Sequence, residues 1–103
     1  MVGCADVIDV EIVADSDDGS YTFHVTVASA DEDWDKYADE WVVRSEDGTA
    51  LGTRTLVHPH VDEQPFTRSL SGVRVPAEIA SVVVAARDSV TGYCGAVFEV
   101  AVP

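Results

Sequence analysis

Tyr21-Thr22-Phe23-His24-Val25-Thr26-Val27 places a bulky apolar residue at every odd position and a polar one at every even position. Successive side chains of an extended strand point to opposite faces, so Tyr21, Phe23, Val25 and Val27 share one face and Thr22, His24 and Thr26 share the other. The first face is predicted buried and the second wet, as in one layer of a two-layer antiparallel sandwich.

The rest of the chain repeats that theme. Strands are predicted over residues 5–14, 41–44, 50–57, 66–70, 81–88 and 96–102, with Val, Ile, Thr and aromatics between clusters of turn residues. Asp15-Ser16-Asp17-Asp18-Gly19-Ser20 reads as a turn, Glu46-Asp47-Gly48-Thr49 as an Asp-Gly hairpin, and Gly72-Val73-Arg74-Val75-Pro76 as a bend with Ile79 beneath it. In Thr91-Gly92-Tyr93-Cys94-Gly95 two glycines are free to take positive φ. The 30–40 stretch is a long acidic loop with a single helical turn at Trp34–Ala38. About seven short strands at this spacing predict an all-β, antiparallel, immunoglobulin-like or fibronectin type III-like sandwich, one domain over residues 1–103, with Trp41 as its central core tryptophan.

Composition narrows the function classes. Of 103 residues 47% are apolar, enough for a core that does not depend on a disulfide or a metal. Nineteen acids against six bases leave a net charge of -13, and Lys36 is the single lysine. Such a surface repels nucleic acid and anionic membranes, attracts cations or a basic partner, and stays soluble at high salt. No apolar run approaches the ~20 residues that span a bilayer. Met1-Val2-Gly3-Cys4 lacks the basic start and apolar stretch of a signal peptide, although Val2-Gly3-Cys4 resembles the end of a lipoprotein cleavage site.

If successive strands alternate in direction, the N-terminus and the 30–40, 58–65 and 89–95 loops fall at one end of the sandwich. That end collects the unusual residues: Trp34, Tyr37, His58, His60, Asp62, Glu63, Tyr93 and both cysteines. It is the expected ligand end, with Trp34, Tyr37, Asp39 and Tyr93 as candidate contacts for a protein, a glycan or another small ligand. Cys4 and Cys94 come to the same end beside the first and last strands, so a disulfide between them is an expectation, and with it an oxidising compartment.

His58-Pro59-His60-Val61-Asp62-Glu63-Gln64-Pro65-Phe66 is the most site-like stretch. An extended link, favoured before proline, points both imidazoles the same way, where they can hold copper or zinc with Glu63, Asp62 or Cys94. The alternative is a proline-stiffened loop whose histidines bond to loop carbonyls or to Asp39 and Glu63. Asp31-Glu32-Asp33-Trp34-Asp35 alternates acids like a calcium loop, but Lys36 and Val42 occupy the positions that need glycine and glutamate, which leaves calcium by another geometry as an alternative to copper or zinc. Arg68 and Arg87 are expected to form bidentate pairs with Glu63 or Asp88. No nucleophile elbow, Ser-His-Asp context or phosphate-binding glycine loop is present, so no catalytic residue is assigned.

Three motifs, Trp34-Asp35-Lys36-Tyr37-Ala38-Asp39-Glu40-Trp41, residues 52–70 from Gly52-Thr53-Arg54-Thr55-Leu56 through Phe66-Thr67-Arg68-Ser69-Leu70, and Ala86-Arg87-Asp88-Ser89, resemble a family of small bacterial proteins often made with a signal peptide. The resemblance covers most of residues 21–95. It implies an exported sandwich module, periplasmic or extracellular, with no assigned activity. The chain departs from that pattern in lacking the export signal and in carrying Cys94 within the glycine-rich turn. Together these features predict a non-enzymatic binding module, monomeric or weakly dimeric through an exposed strand edge. The alternative is a metal-binding sandwich built on His58 and His60.

Overall fold

A computed structural model describes residues 3–15 and 19–103. Seven strands are present: β1 (Asp6–Ala14), β2 (Ser20–Ala28), β3 (Ala38–Ser45), β4 (Ala50–Thr55), β5 (Phe66–Arg74), β6 (Ser81–Asp88) and β7 (Phe98–Ala101). They form two antiparallel sheets, β1-β2-β5 and β4-β3-β6-β7. The sandwich expectation holds. The constant-type immunoglobulin order would place the fourth strand beside β5, whereas here it pairs with β3. Ser16, Asp17 and Asp18 of the first turn, and Met1 and Val2, lie outside the described residues.

The alternation in β2 is realised as read. Phe23, Val25 and Val27 are fully buried, and Tyr21 packs against the core at its edge. From the facing sheet come Trp41 and Val43 of β3 and Val82, Val84 and Ala86 of β6, all within the same cluster. Across the wet face, Thr26 meets Thr67 at 2.8 Å and Thr22 meets Ser71 at 3.1 Å, so hydroxyl pairs tie β2 to β5.

Several boundaries differ from the sequence reading. β3 starts at Ala38 rather than residue 41, because Ala38 pairs with Asp88. β5 runs through the predicted bend to Arg74, since Gly72, at φ 70°, absorbs one extra residue between the Tyr21–Val73 and Phe23–Leu70 pairs. The expected helical turn is instead a tight turn bridging Asp33 and Lys36. The last strand shrinks to 98–101: Ala96 is held by β1 of the other sheet, accepting from Val7 N at 2.9 Å and donating to Asp6 Oδ1 at 2.7 Å. Gly95 serves close approach rather than positive φ. A Cβ there would lie 2.0 Å from the Ala5 carbonyl oxygen.

Among the described residues no helix is long and apolar enough to cross a membrane. The expected Cys4–Cys94 disulfide is formed, with the two Cα atoms 5.4 Å apart and a sequence separation of 90.

Candidate functional site

The predicted loop sorting holds. At one end the N-terminus, the β2–β3 loop, the β4–β5 loop and the β6–β7 connection are laced together. Lys36 Nζ donates to Gly3 O at 2.7 Å, Thr91 Oγ1 donates to the same carbonyl at 2.9 Å, and Ser89 N donates to Tyr37 O at 2.8 Å.

Asp31 organises the part of this end that matters most. Its Oδ1 accepts from Ala38 N at 2.9 Å and Ser29 Oγ at 2.7 Å, and its Oδ2 accepts from His60 N at 2.7 Å. One buried carboxylate therefore joins the β2–β3 loop, the start of β3 and the β4–β5 loop. Gln64 repeats the clasp: its Oε1 accepts from Ser29 N at 2.9 Å and its Nε2 donates to His60 O at 2.8 Å. The Gln64–Pro65 peptide is cis. Asp31, grouped by sequence with calcium-type acids, is a backbone organiser.

Pinned in this way, the two loops form the walls of a groove of about 560 Å³ lined by residues 32–34 and 58–63. Such a volume falls within the usual range of ligand sites, about 300–1,000 Å³. Trp34 stands on one wall, 66% exposed, edge-on to Tyr37 with ring centroids 5.8 Å apart. His60 lies at the base, only 4% exposed, and stacks flat on Phe66 with centroids 3.9 Å apart and planes 8° apart. Neither of its ring nitrogens has a hydrogen-bond partner among the described residues. A buried polar group left unbonded costs about 1–3 kcal/mol. Burial, then the Arg68 and His58 charges, push the imidazole below its ordinary 6.5, outweighing Asp31 and Glu63. The ring is therefore neutral at pH 7. Its Nδ1, 3.8 Å from Asp31 Oδ2, makes neither a hydrogen bond nor an ion pair.

The other candidates distribute themselves over different places. The exposed His58 donates from Nδ1 to its neighbour's carbonyl, Pro59 O, at 3.0 Å, and its ring lies 4.4 Å from that of His60 at a 37° tilt. Glu63 accepts from Arg68 Nη2 at 3.0 Å in a single, exposed contact rather than a bidentate one. Arg87 pairs with Asp39 at 2.7 Å, not with Asp88. Asp88 is fully buried and bonds Lys36 Nζ at 2.6 Å. Cys94 is in the disulfide. Among the described residues no three His, Cys, Asp or Glu side chains converge as a metal's ligands.

Tyr93 belongs to the outer face of the second sheet instead of the groove. Its hydroxyl donates to Glu40 Oε2, and the Arg44 guanidinium sits 4.6 Å above its ring, so it spans the row Glu40–Val42–Arg44. Burial and the Glu40 carboxylate raise its hydroxyl to about 12. The folded value exceeds the ordinary 10, so the stabilisation is present below pH 10 and is lost as pH rises from 10 toward about 12. A spectrophotometric titration should show one of the three tyrosines ionising near pH 12, and Glu40→Gln should bring it closer to 10.

A second juxtaposition escaped the sequence because it depends on register. Glu11, His24 and Ser69 stand opposite one another across β1, β2 and β5, and His24 Nδ1 lies 2.7 Å from Ser69 Oγ. Acid, imidazole and hydroxyl are in a row, but on a flat sheet face whose central strand commits its N–H groups to the two ladders. Acyl transfer needs donors aimed at a developing oxyanion, which such a face does not supply.

A 91-residue stretch, 88% of this chain, is 38% identical to a protein of Halomicrobium mukohataei named "Putative lipoprotein". The chain spans less than half of that relative's length, 44%. No family model matches the chain, and no solved structure matches it.

Proposed function

We propose that this domain is an exported, non-enzymatic β-sandwich binding module that receives its ligand in the groove between the β2–β3 and β4–β5 loops. The observation that carries it is the lining of that groove, which joins an exposed Trp34 on one loop to the buried His60 on the other, stacked on Phe66. The surroundings point the same way. Of the eight exposed large apolar side chains among the described residues, Trp34, Val57, Val61, Val90 and Val97 lie on the three loops of this end, apart from Tyr93 on the second sheet. Apolar groups clustered on one end of an otherwise acidic domain mark an interaction surface.

Export is supported by the disulfide, which persists in oxidising compartments, and by the similarity to a protein named as a lipoprotein. The sulfur of Cys4 is bonded to Cys94, so in this fold it is not free to carry a lipid.

Two measurements test the proposal. In intact cells making the protein, added protease should degrade it, and a maleimide reagent should label Cys4 and Cys94 only after reduction. Reduced, protected thiols would remove the export half. For the groove, Trp34 fluorescence reports on titrations with sugars, peptides and metal ions. A bound ligand should lose at least about tenfold in affinity with Trp34→Ala and keep it with Tyr93→Phe, since removing one well-packed aromatic contact is worth about 1–2 kcal/mol. The reverse pattern would move the site to the second sheet.

A further inference from the structure

Beyond the groove reading, we infer that the side of the sandwich bounded by β4 and β5 is closed to strand addition by two arginines, Arg54 and Arg68, which bar a second copy of this chain from pairing there.

The topology leaves that side open. β5 ends one sheet and β4 ends the other, so each has a row of backbone N–H and C=O groups with no strand beside it. The opposite side is managed by other means. β1 carries a bulge between Val7 and Asp9, Ala96 accepts from Val7 N at 2.9 Å, and β7 is four residues long. β5 has nine residues, and its outward row of Thr67, Ser69 and Ser71 holds no charge. A strand of that length and polarity is a template on which a second copy would add to make one continuous sheet.

The charges stand on the inner face instead. Arg54 lies opposite Trp41 and Arg68 opposite Val25, both partners fully buried, and directly opposed residues of an antiparallel pair point the same way. The neighbours agree. Gly52, two residues before Arg54, faces Leu70 and Val73 of the other sheet, and Arg68 sits between Phe66 and Leu70 of the core.

On an inner strand such an arginine would be trapped. On an edge strand its stem covers apolar surface while the guanidinium bends round the rim to water. Both side chains are only partly buried. Arg68, its guanidinium 5.6 Å from the centre of the Phe66 ring, reaches the exposed Glu63 at 3.0 Å. Arg54 has its Nε closed off without a hydrogen bond, and no acceptor among the described residues meets the rest of its head, which depends on solvent.

A strand laid along either edge would cover that route and leave a guanidinium between the sheets without water. Net charge alone does not give this protection. The repulsion between two copies of charge -13 acts over a screening length of about 10 Å at 0.1 M salt and about 3 Å at 1 M. Stripping water from a guanidinium is a local cost that salt does not screen in this way.

The test is light scattering after gel filtration at about 0.15 M and about 2 M sodium chloride, across a dilution series. It compares the wild type, Arg54→Leu/Arg68→Leu and Arg54→Lys/Arg68→Lys, with a melting curve and amide hydrogen exchange for each. The wild type should be monomeric at both salts, and so should the lysine variant, whose ammonium groups take the same route to water. The leucine variant should melt cooperatively and, in high salt, reach twice the monomer mass or more. Exchange in residues 50–55 or 66–74 should then slow in the associated form alone. A leucine variant that is folded and monomeric at both salts overturns the inference. So does a lysine variant that associates as the leucine variant does, or a wild type that dimerises with slowed exchange on either strand. Association with exchange unchanged on both strands is general stickiness and overturns it as well. If the leucine double variant does not fold, the single variants Arg54→Leu and Arg68→Leu are read in the same way.

Discussion

Exchanging Cys4 and Cys94 for serine is expected to lower the unfolding free energy by about 3–5 kcal/mol and the melting temperature by roughly 15–30 °C. The bridge closes a loop of 90 residues, nearly the whole chain, so it removes a large share of the unfolded state's freedom. It also anchors a short strand: β7 has four residues, and the segment before it is tied to β1 through residue 96. Urea unfolding of the oxidised protein, the reduced protein and the double variant would measure the effect. A change below about 1 kcal/mol would show that the core alone sets stability, as the 47% apolar composition by itself allows.

Lys36→Met should cost nearly as much, about 3–5 kcal/mol, because it strands the buried carboxylate of Asp88. Asp88 is 0% exposed, and its other oxygen accepts from Val90 N at 2.8 Å and Thr91 N at 3.1 Å, shaping the turn after β6. Burial alone would raise this carboxyl, but the Lys36 bond and the two turn amides more than offset it and hold the group below its ordinary 3.8. The unfolded chain therefore takes up this proton first as pH drops. The stabilisation is complete above 3.8 and is lost as pH falls through the lower folded value. Acid unfolding of the wild type should show that loss, and Lys36→Met should move it to higher pH. By contrast, Glu63→Gln should change stability by less than about 1 kcal/mol, because the Arg68–Glu63 pair is exposed and screened. A double-mutant cycle on Lys36 and Asp88 showing no coupling would remove the pair from the account.

The candidate site was only partly legible. His58, His60, Glu63 and Trp34 stood out because histidines around a proline and an aromatic in an acidic loop are locally unusual. Their grouping into a groove was not legible, since it is made by Asp31 and Gln64, whose partners lie 29 and 35 residues away. Tyr93 and Asp39 fell away for the same kind of reason. Asp39 meets Arg87 across the β3–β6 pairing, and Tyr93 reaches Glu40 and Arg44 from the β6–β7 connection; in neither case is the partner written beside the residue in the chain.

By itself the sequence determined the class of fold, the number of strands, the buried face of β2 and the end at which the unusual loops gather. Those follow from period-two alternation and from turn residues, both of which act over a few residues. The sequence also pointed to the Cys4–Cys94 bridge, but the tertiary structure alone decided that the single lysine neutralises Asp88, that β4 joins β3, and that His60 is buried with its nitrogens unbonded. These depend on which distant segments pack together, and many pairings satisfy the same local pattern. The choice among them lies in close approach, such as Gly95 against Ala5, and in the satisfaction of buried charge.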